Sequence, residues 1–320
     1  MISVIKAIKA RKPIFVACWP GMGEVAYRAG LFLKENLHFE EFAYFDTRDY
    51  ITPQGVVVKE GLIELPSINA GIFSFYKEKN KEIILFLSEA QPPFEKAYSY
   101  ALQIIEFIKN FSVKEVFSFA SIPQPIEHTQ EPNVWITSTS QQMLSKFLKY
   151  KVKILNEGHI SGLNGLIIGV AKEKNMEGCC LLGEIPLYTL QIENPWASKK
   201  ILEIFLDYMN INLNLSPFDE RQLFINEQIE RILQVIKGEA PSSDSPISEK
   251  DIEHIKKDLV SMTKLPESVR KKIEELFKKA QKDISVAMEL KRELDRWGVY
   301  QEYEDRFLDL FRKKKPPKDH

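Results

Sequence analysis

A glycine turn near the N-terminus is the first stretch whose residue spacing could do chemistry. Gly21, Gly23 and Ala26 follow an apolar run at the spacing G-x-G-x-x-A, one spelling of the turn that cradles a dinucleotide pyrophosphate. Asp46 follows the next apolar run, about where such folds place the acid that binds the ribose. However, the next segment alternates like a β-hairpin where such a fold would enter a helix, and Glu24 adds negative charge near the phosphate position. The alternative is a tight strand-to-helix turn that only needs the two glycines.

A second group of polar residues predicts a ligand cleft. His128 and Thr129 follow the fourth predicted strand, and Glu184 ends the last one. Open α/β sheets bind ligands at the carboxyl ends of their strands. We predict a cleft there, built by Gly21, Gly23, Glu24, His128, Thr129, Gly162, Asn164, Gly165 and Glu184. The alternative is that His128 and Asn164 satisfy backbone groups of their loops.

Several other kinds of site do not match the sequence. The glycine cluster GHISGLNGLIIGVA (158–171) is not a nucleophile elbow, since Ser161 is adjacent to Gly162, and it is not a P-loop, since no Gly-Lys-Ser/Thr follows. The adjacent pair Cys179 and Cys180 lacks the two-residue gap of a zinc knuckle, and the histidines match no metal spacing. We therefore predict neither a metal nor a cofactor.

Composition limits the partners. The chain has 320 residues, 44% of them hydrophobic and 28% charged, which is typical of a globular protein with a large domain and a smaller appendage. Its 44 basic and 45 acidic residues create no overall field to attract nucleic acid or an anionic membrane. Three cysteines favour a reducing compartment, and no apolar run approaches the roughly 18 residues of a membrane span. We predict a cytoplasmic protein with no membrane or nucleic-acid partner.

Short apolar runs alternate with helical patterns as far as about residue 210. Runs without polar alternation suit strands that are buried on both faces. Strands are predicted at 13–18, 40–45, 82–87, 115–120, 152–156, 165–171 and 179–184, and helices at 24–37, 93–111, 140–150 and 194–210. This order predicts an α/β fold, a three-layer α/β/α sandwich.

The C-terminal third changes in character. We predict an α/β domain over 1–237, a Ser/Pro-rich linker over 238–247, and an amphipathic helical extension with a basic tail over 248–320. Ser248 and Asp251 form a capping-box pattern, and a longer apolar stripe runs from Val269 to Trp297. Two or three helices are expected to bury this stripe against the α/β domain, each other or a second subunit.

Five loose motifs follow one another in a recognisable order. They are WPGMG (19–23), PQGVVVKEGLIELP (53–66), PIEHTQEPNVWITSTS (125–140), GEIPLY (183–188) and NPWAS (194–198). Over roughly residues 10–210 the chain resembles the PAC2 family, the bacterial and archaeal relatives of proteasome assembly chaperone 2.

The resemblance implies a fold similar to purine nucleoside phosphorylases, homo-oligomers such as trimers, and a role in binding proteins rather than in turnover. Archaeal relatives that engage the proteasome use a C-terminal tail with a tyrosine, whereas this chain ends KKKPPKDH. Docking by that tail is therefore not expected, and a proteasome-related partner is an analogy from the family.

Three hypotheses remain. The first is a non-catalytic, oligomeric protein with a protein-binding or proteasome-assembly-chaperone-like role. The alternative is a small-ligand-binding protein or a phosphorylase- or hydrolase-like enzyme that uses the predicted cleft. The third is a dinucleotide-binding protein that uses the turn from Gly21 to Ala26.

Overall fold

A computed structural model describes residues 2–51, 55–65, 71–236, 267–281, 283–296 and 300–311. The strands are β1 Ile2–Val4, β2 Ile14–Cys18, β3 Glu40–Phe45, β4 Val57–Lys59, β5 Leu62–Glu64, β6 Gly71–Glu78, β7 Lys81–Leu87, β8 Glu115–Gln124, β9 Val134–Ser138, β10 Val152–Ile154 and β11 Gly178–Pro186. The helices are α1 Val25–Asn36, α2 Phe94–Lys109, α3 Gln141–Ser145, α4 Leu163–Glu173, α5 Pro195–Met209, α6 Ser216–Ile236, α7 Glu267–Ala280, α8 Ala287–Arg296 and α9 Tyr300–Asp309.

Across these residues one sheet of nine strands runs in the order β1-β3-β6-β7-β2-β8-β11-β9-β10. Its centre is parallel, because β2 pairs in parallel with β7 and β8, and β11 pairs in parallel with β8. All five residues of β2 are buried, as expected for a central strand covered on both faces. The carboxyl ends of these four strands lie at one edge of the sheet, which we call the carboxyl edge.

Helices cover both faces of the sheet. One face packs against α1, α3, α5 and the start of α6, and the other packs against α2 and α4. Helix α2 illustrates the cause, because its buried residues recur at spacings of three and four and so form one apolar stripe: Ala97, Tyr100, Ala101, Ile104, Ile105 and Ile108. The predicted three-layer α/β/α sandwich is confirmed.

The predicted strand at 165–171 is wrong. This segment belongs to helix α4, and Asn164 lies in the first turn of that helix. A continuous apolar run suits a buried helix as well as a buried strand, and only the packing decides between them. Here α4 packs against both the sheet and α2, so most of its residues are covered.

Several elements have no counterpart among the predictions: β1, β6, β9 and α6. Strand β9 has only three apolar residues, followed by Thr137 and Ser138, and lies between β10 and β11, so pairing with its neighbours stabilises it more than its own pattern does. The predicted helix at 140–150 is shorter than expected and covers only Gln141–Ser145.

The hairpin predicted after Asp46 is present and forms a separate two-stranded sheet, β4 and β5. Glu60 and Gly61 connect its strands, and both have positive φ values, 50° and 80°. A two-residue connection with two positive φ angles matches the right-handed twist of the flanking strands. The hairpin register pairs Val58 with Ile63.

The C-terminal helices α7, α8 and α9 share an apolar cluster of their own, whose buried members include Ile273, Phe277, Leu290 and Leu294. The stripe predicted from Val269 onward is interrupted by a short 3-10 turn at Ile284–Val286. The predicted linker, Ser248 and Trp297 lie outside the described residues, and the domain boundaries stay predictions. Within the described ranges, no helix combines the length and apolarity needed to cross a bilayer.

Candidate functional site at the carboxyl edge

A cleft of about 650 Å³ opens at the carboxyl edge of the sheet. Its walls come from the segments that follow β2, β7 and β10, from the end of β8 and from β9. They include Gly21, Gln91, Ser121, Gln124, Trp135, His159, Gly162 and Asn164. Lys271, Lys272 and Glu275 of α7 and Glu293 of α8 complete the lining. The volume lies within the roughly 300–1,000 Å³ of small-molecule sites, so the cleft is large enough for a ligand.

Asn164 joins two distant parts of the chain beneath this cleft. Its side-chain Oδ1 accepts a hydrogen bond from the Trp19 backbone N–H (3.1 Å), and its Nδ2 donates to the Trp19 carbonyl (3.0 Å). The side chain is 5% exposed. The amide therefore continues the pairing of β2 beyond its last residue, which is the structural alternative that the sequence left open for Asn164.

Gly162 precedes helix α4 as its N-cap and has a φ of 80°, a conformation that favours glycine. The Oε1 of Gln91 accepts a hydrogen bond from the Leu163 N–H (2.8 Å), and Gln91 Nε2 donates to the Pro20 carbonyl. A β-carbon on Gly165 would lie 2.6 Å from the Ile160 carbonyl oxygen. The second glycine cluster thus permits close approach of backbone segments around the cleft.

Gly23 and Glu24 lie in a turn that does not line the cleft, and Gly23 is hydrogen-bonded to the segment between β11 and α5. The Gly23 N–H donates to the Leu190 carbonyl (2.8 Å), and the Gly23 carbonyl accepts from the Asn194 N–H (2.9 Å). Gly23 has a φ of 66°, and Glu24 pairs with Arg28 at 2.9 Å. The backbone N–H of Gly23, which a pyrophosphate would contact, therefore already has the Leu190 carbonyl as its hydrogen-bond partner.

Glu184 is a buried carboxylate that is 3% exposed. It accepts hydrogen bonds from Asn133 N–H (2.9 Å), Asn133 Nδ2 (2.7 Å), Trp135 Nε1 (2.7 Å) and Lys153 Nζ (3.0 Å). Burial opposes its ionisation, but the hydrogen bonds from Asn133, Trp135 and Lys153 outweigh burial and hold the pKa of Glu184 below its ordinary value of 4.5. This carboxylate orients Trp135, which lines the cleft, but does not line it itself.

His128 and Thr129 are not among the residues that line the cleft. The His128 backbone N–H donates to Tyr188 Oη (2.8 Å), and its ring Nδ1 lies 2.9 Å from the same oxygen. Burial is the main cause that raises the pKa of Tyr188, to about 12. Thr129 is exposed in the adjoining turn. Of the nine predicted site residues, the structure brings Gly21, Gly162 and Asn164 together on the cleft wall.

The whole α/β body has known relatives. The model of the PAC2 family matches residues 15–233. This chain belongs to the PAC2 family.

Solved structures share the fold of this PAC2 protein. PbaB of Pyrococcus furiosus, described as an archaeal proteasome activator, superimposes with a TM-score of 0.62 at 22% identity, covering 72% of this chain and 98% of that one. PbaA of the same organism, described as an archaeal homolog of proteasome-assembly chaperone, gives 0.58 at 23% identity, covering 74% and 93%. In sequence, an uncharacterized protein of Methanocaldococcus jannaschii is 25% identical over 238 residues, which is 74% of this chain and 89% of that protein.

The PAC2 cleft contains residues that the sequence reasoning missed. Gln91 follows β7, so the rule that selected His128 would have selected it too. His159 lies exposed on the cleft wall and was not among the predicted site residues. Lys271 and Glu293 come from helices beyond the matched region, and no local signal links them to the cleft. In the described ranges of the chain, no three His, Cys, Asp or Glu side chains are grouped so that they could hold a metal ion.

Proposed function

We propose that this chain is a non-catalytic, chaperone-like protein that binds other proteins, in the manner of proteasome assembly factors. The observation that carries the proposal is the family match over residues 15–233, the part of the chain that folds like PbaB and PbaA. The proposal extends the described role of those two proteins to this chain.

The way the polar groups are used supports this role. General acid–base catalysis needs a titratable side chain that can reach the substrate. Glu184 is occupied by three donor residues, and Asn164 uses its amide oxygen and nitrogen on Trp19. These polar side chains hold the carboxyl edge in shape, which suits a scaffold for binding.

The proposal has finer parts. The protein acts in the cytoplasm as a homo-oligomer, with the trimer as one arrangement, and the partner it carries is a proteasome subunit or precursor. It does so without a metal or a cofactor.

The decisive experiment is native mass spectrometry on full-length protein with a free C-terminus, purified gently from its own host. We expect a closed homo-oligomer that carries a second polypeptide, identified by sequencing as a proteasome component. Deleting the gene should make unassembled proteasome precursors accumulate. A bare protein and normal proteasome assembly in the deletion strain would refute the proposed role.

The cleft favours a second candidate function, the binding or conversion of a small molecule. Its volume of about 650 Å³ and the presence of Trp135 and His159 on its wall support this alternative. Native mass spectra would then show a small adduct that is lost in His159→Ala. His38→Ala is the matched control, because His38 is an exposed histidine at the α1–β3 connection and does not line the cleft.

Activity is tested on nucleoside and ester panels with the same two variants, together with His128→Ala, the histidine selected from the sequence. Turnover that is lost in His159→Ala and kept in the other two variants would favour the enzyme hypothesis over the chaperone hypothesis. Absence of both adduct and turnover rejects this second candidate.

A further inference from the structure

The β4–β5 hairpin holds the densest group of exposed large apolar side chains among the described residues. Six large apolar side chains lie within ten residues, each between 40% and 74% exposed: Val56, Val57, Val58, Leu62, Ile63 and Leu65. In the described residues, β4 and β5 pair only with each other. A two-stranded hairpin is marginal by itself in water, so this one needs a covering surface.

The register makes the two faces of the hairpin different. Val58 pairs with Ile63, and alternation places Val56 and Leu65 on the same side of the ribbon, so this side, which we call face A, is wholly apolar. On the other side, face B, Lys59 pairs with Leu62 and Val57 pairs with Glu64. Lys59 and Glu64 lie 3.5 Å apart. Face A is therefore the side that gains most from being covered.

A matching surface lies on helix α2. Phe94 is 91% exposed at the first turn, and Tyr98, one turn later on the same side, is 44% exposed. We call this pair the α2 stripe. The segment before the hairpin contacts the start of α2, because Lys96 Nζ donates to the Asp49 carbonyl (2.6 Å). The hairpin nevertheless leaves Phe94 of its own chain uncovered.

We propose that face A of the hairpin packs on the α2 stripe of a second copy of this chain. The proposal rests on the homo-oligomer in the proposed function and names its contact surface. The hairpin and the α2 stripe are different surfaces, so the contact joins neighbouring subunits head to tail, and its repetition closes a ring when the rotation between subunits closes.

Charge and the exposed aromatic side chain of Phe94 agree with a second copy as the occupant. Face A has no charged side chain, and two chains of net charge −1 meet with little long-range repulsion. A standard interface buries about 800 Å² on each partner, and one aromatic side chain supplies about 150–250 Å² of it. Phe94 supplies the aromatic anchor, and the four aliphatic side chains of face A pack around it.

The test compares variants of purified full-length protein by sedimentation equilibrium. Val58→Asp combined with Ile63→Asp should raise the dissociation constant of the oligomer at least about 100-fold, since both side chains would be central to the contact. Phe94→Asp should have the same effect. Leu62→Asp is the control, because Leu62 is 70% exposed on the same hairpin but lies on face B.

A second pair of substitutions distinguishes loss of the contact from unfolding of the hairpin. Val58→Thr with Ile63→Thr keeps β-branched side chains and should also dissociate the oligomer, with the melting temperature of the monomer unchanged. An oligomer that survives the face A variants, or dissociates equally in Leu62→Asp, overturns the inference. An oligomer that survives in Phe94→Asp also overturns the inference, because the hairpin would then pack on another surface.

The failure of this inference can be told apart from failure of the proposed function. A wild-type protein that is monomeric in sedimentation overturns the hairpin contact, whereas the binding of a proteasome component is measured separately in the host. Loss of the oligomer with retained partner binding would confirm the contact and show that one subunit suffices for binding.

Discussion

At the scale of single residues, the polar groups that could have done chemistry mostly connect distant segments. Asn164 binds the backbone of Trp19, and Glu184 collects donors from two strands and one loop. Each is buried, and each would leave unsatisfied partners if it were removed. Their energetic role is therefore measurable independently of any ligand.

Replacing Asn164 with alanine should destabilise the protein strongly. The Trp19 N–H and carbonyl would both lose their partner in a buried site, and each unsatisfied group costs about 1–3 kcal/mol. We expect the free energy of unfolding in urea to fall by about 2–5 kcal/mol. Asn36→Ala is the control, since Asn36 donates to the Phe32 carbonyl at an exposed helix end, and it should cost less than about 0.5 kcal/mol. Equal losses in the two variants would refute this role for Asn164.

Glu184→Gln should destabilise the protein in a pH-dependent way. Because folding lowers the pKa of Glu184 below 4.5, its stabilising effect is complete well above pH 4.5 and is lost as the pH falls through the folded-state pKa. The difference in unfolding free energy between wild type and variant should be about 2–3 kcal/mol at pH 7 and shrink as the pH falls through the lowered pKa of Glu184. Urea titrations at several pH values measure it.

Glu157→Gln is the control for this titration, since Glu157 is exposed and lines the cleft. Its effect should stay within about 0.5 kcal/mol at every pH. A loss in Glu184→Gln that does not change with pH would show that the charge of Glu184 is not what stabilises the fold.

At the scale of elements, helix α4 shows how backbone geometry sets the cleft wall. Its N-terminus is fixed by Gly162, whose φ is 80° and whose missing side chain leaves room for Gln91 Oε1, 3.1 Å from an added β-carbon. Gly169 lies inside the same helix with nothing within 4 Å of an added β-carbon. The conformation of Gly162, at the helix cap, therefore favours glycine, whereas the position of Gly169, inside the helix, has room for a side chain.

Alanine at these two positions should shift stability in opposite directions. Gly162→Ala forces a side chain into a left-handed conformation and should cost about 1–3 kcal/mol. Gly169→Ala should add about 0.5–1 kcal/mol, because alanine restricts the unfolded chain and favours helix. Thermal melting of the two variants checks this, and a loss of stability in both would contradict our account of α4.

The sequence predicts elements best where one pattern permits one structure. The hairpin was predictable because Glu60 and Gly61 separate two alternating runs, and β2 because five apolar residues precede a glycine turn. Segment 165–171 was not, since its apolar run suits a buried helix as well as a strand. For the cleft, Gly21 and Asn164 were found by their position after strands, whereas Lys271 and Lys272 come from α7, and their place depends on tertiary packing alone.

At the scale of the whole molecule, the C-terminal helices form part of the cleft. Leu187 packs against their apolar cluster, and residues of α7 and α8 face the segment that carries His159. The extension lies beyond the region that matches the family. Access to the carboxyl edge therefore depends on how firmly these helices hold together.

Phe277→Ala should loosen this covering unit without unfolding the α/β body. Phe277 is fully buried in the cluster of α7, α8 and α9, and its truncation costs about 3–5 kcal/mol. Hydrogen exchange should quicken over α7–α9 and in the cleft segment 157–162, with α2 and α5 unchanged. Met288→Ala is the control, because Met288 is 70% exposed on α8. Unchanged exchange in 157–162 would show that the helices do not cover the cleft.

The position of β2 in the sheet bears on how the protein is made. This strand is synthesised early, yet it lies at the centre, and its two neighbours end at residues 87 and 124. At translation rates of about 5–20 residues per second, roughly 5–20 s pass between the emergence of β2 and of β8. Both edges of β2 are open until β7 emerges, and the edge that pairs with β8 stays open for the whole interval, so the nascent chain exposes an apolar strand edge on which another chain could pair.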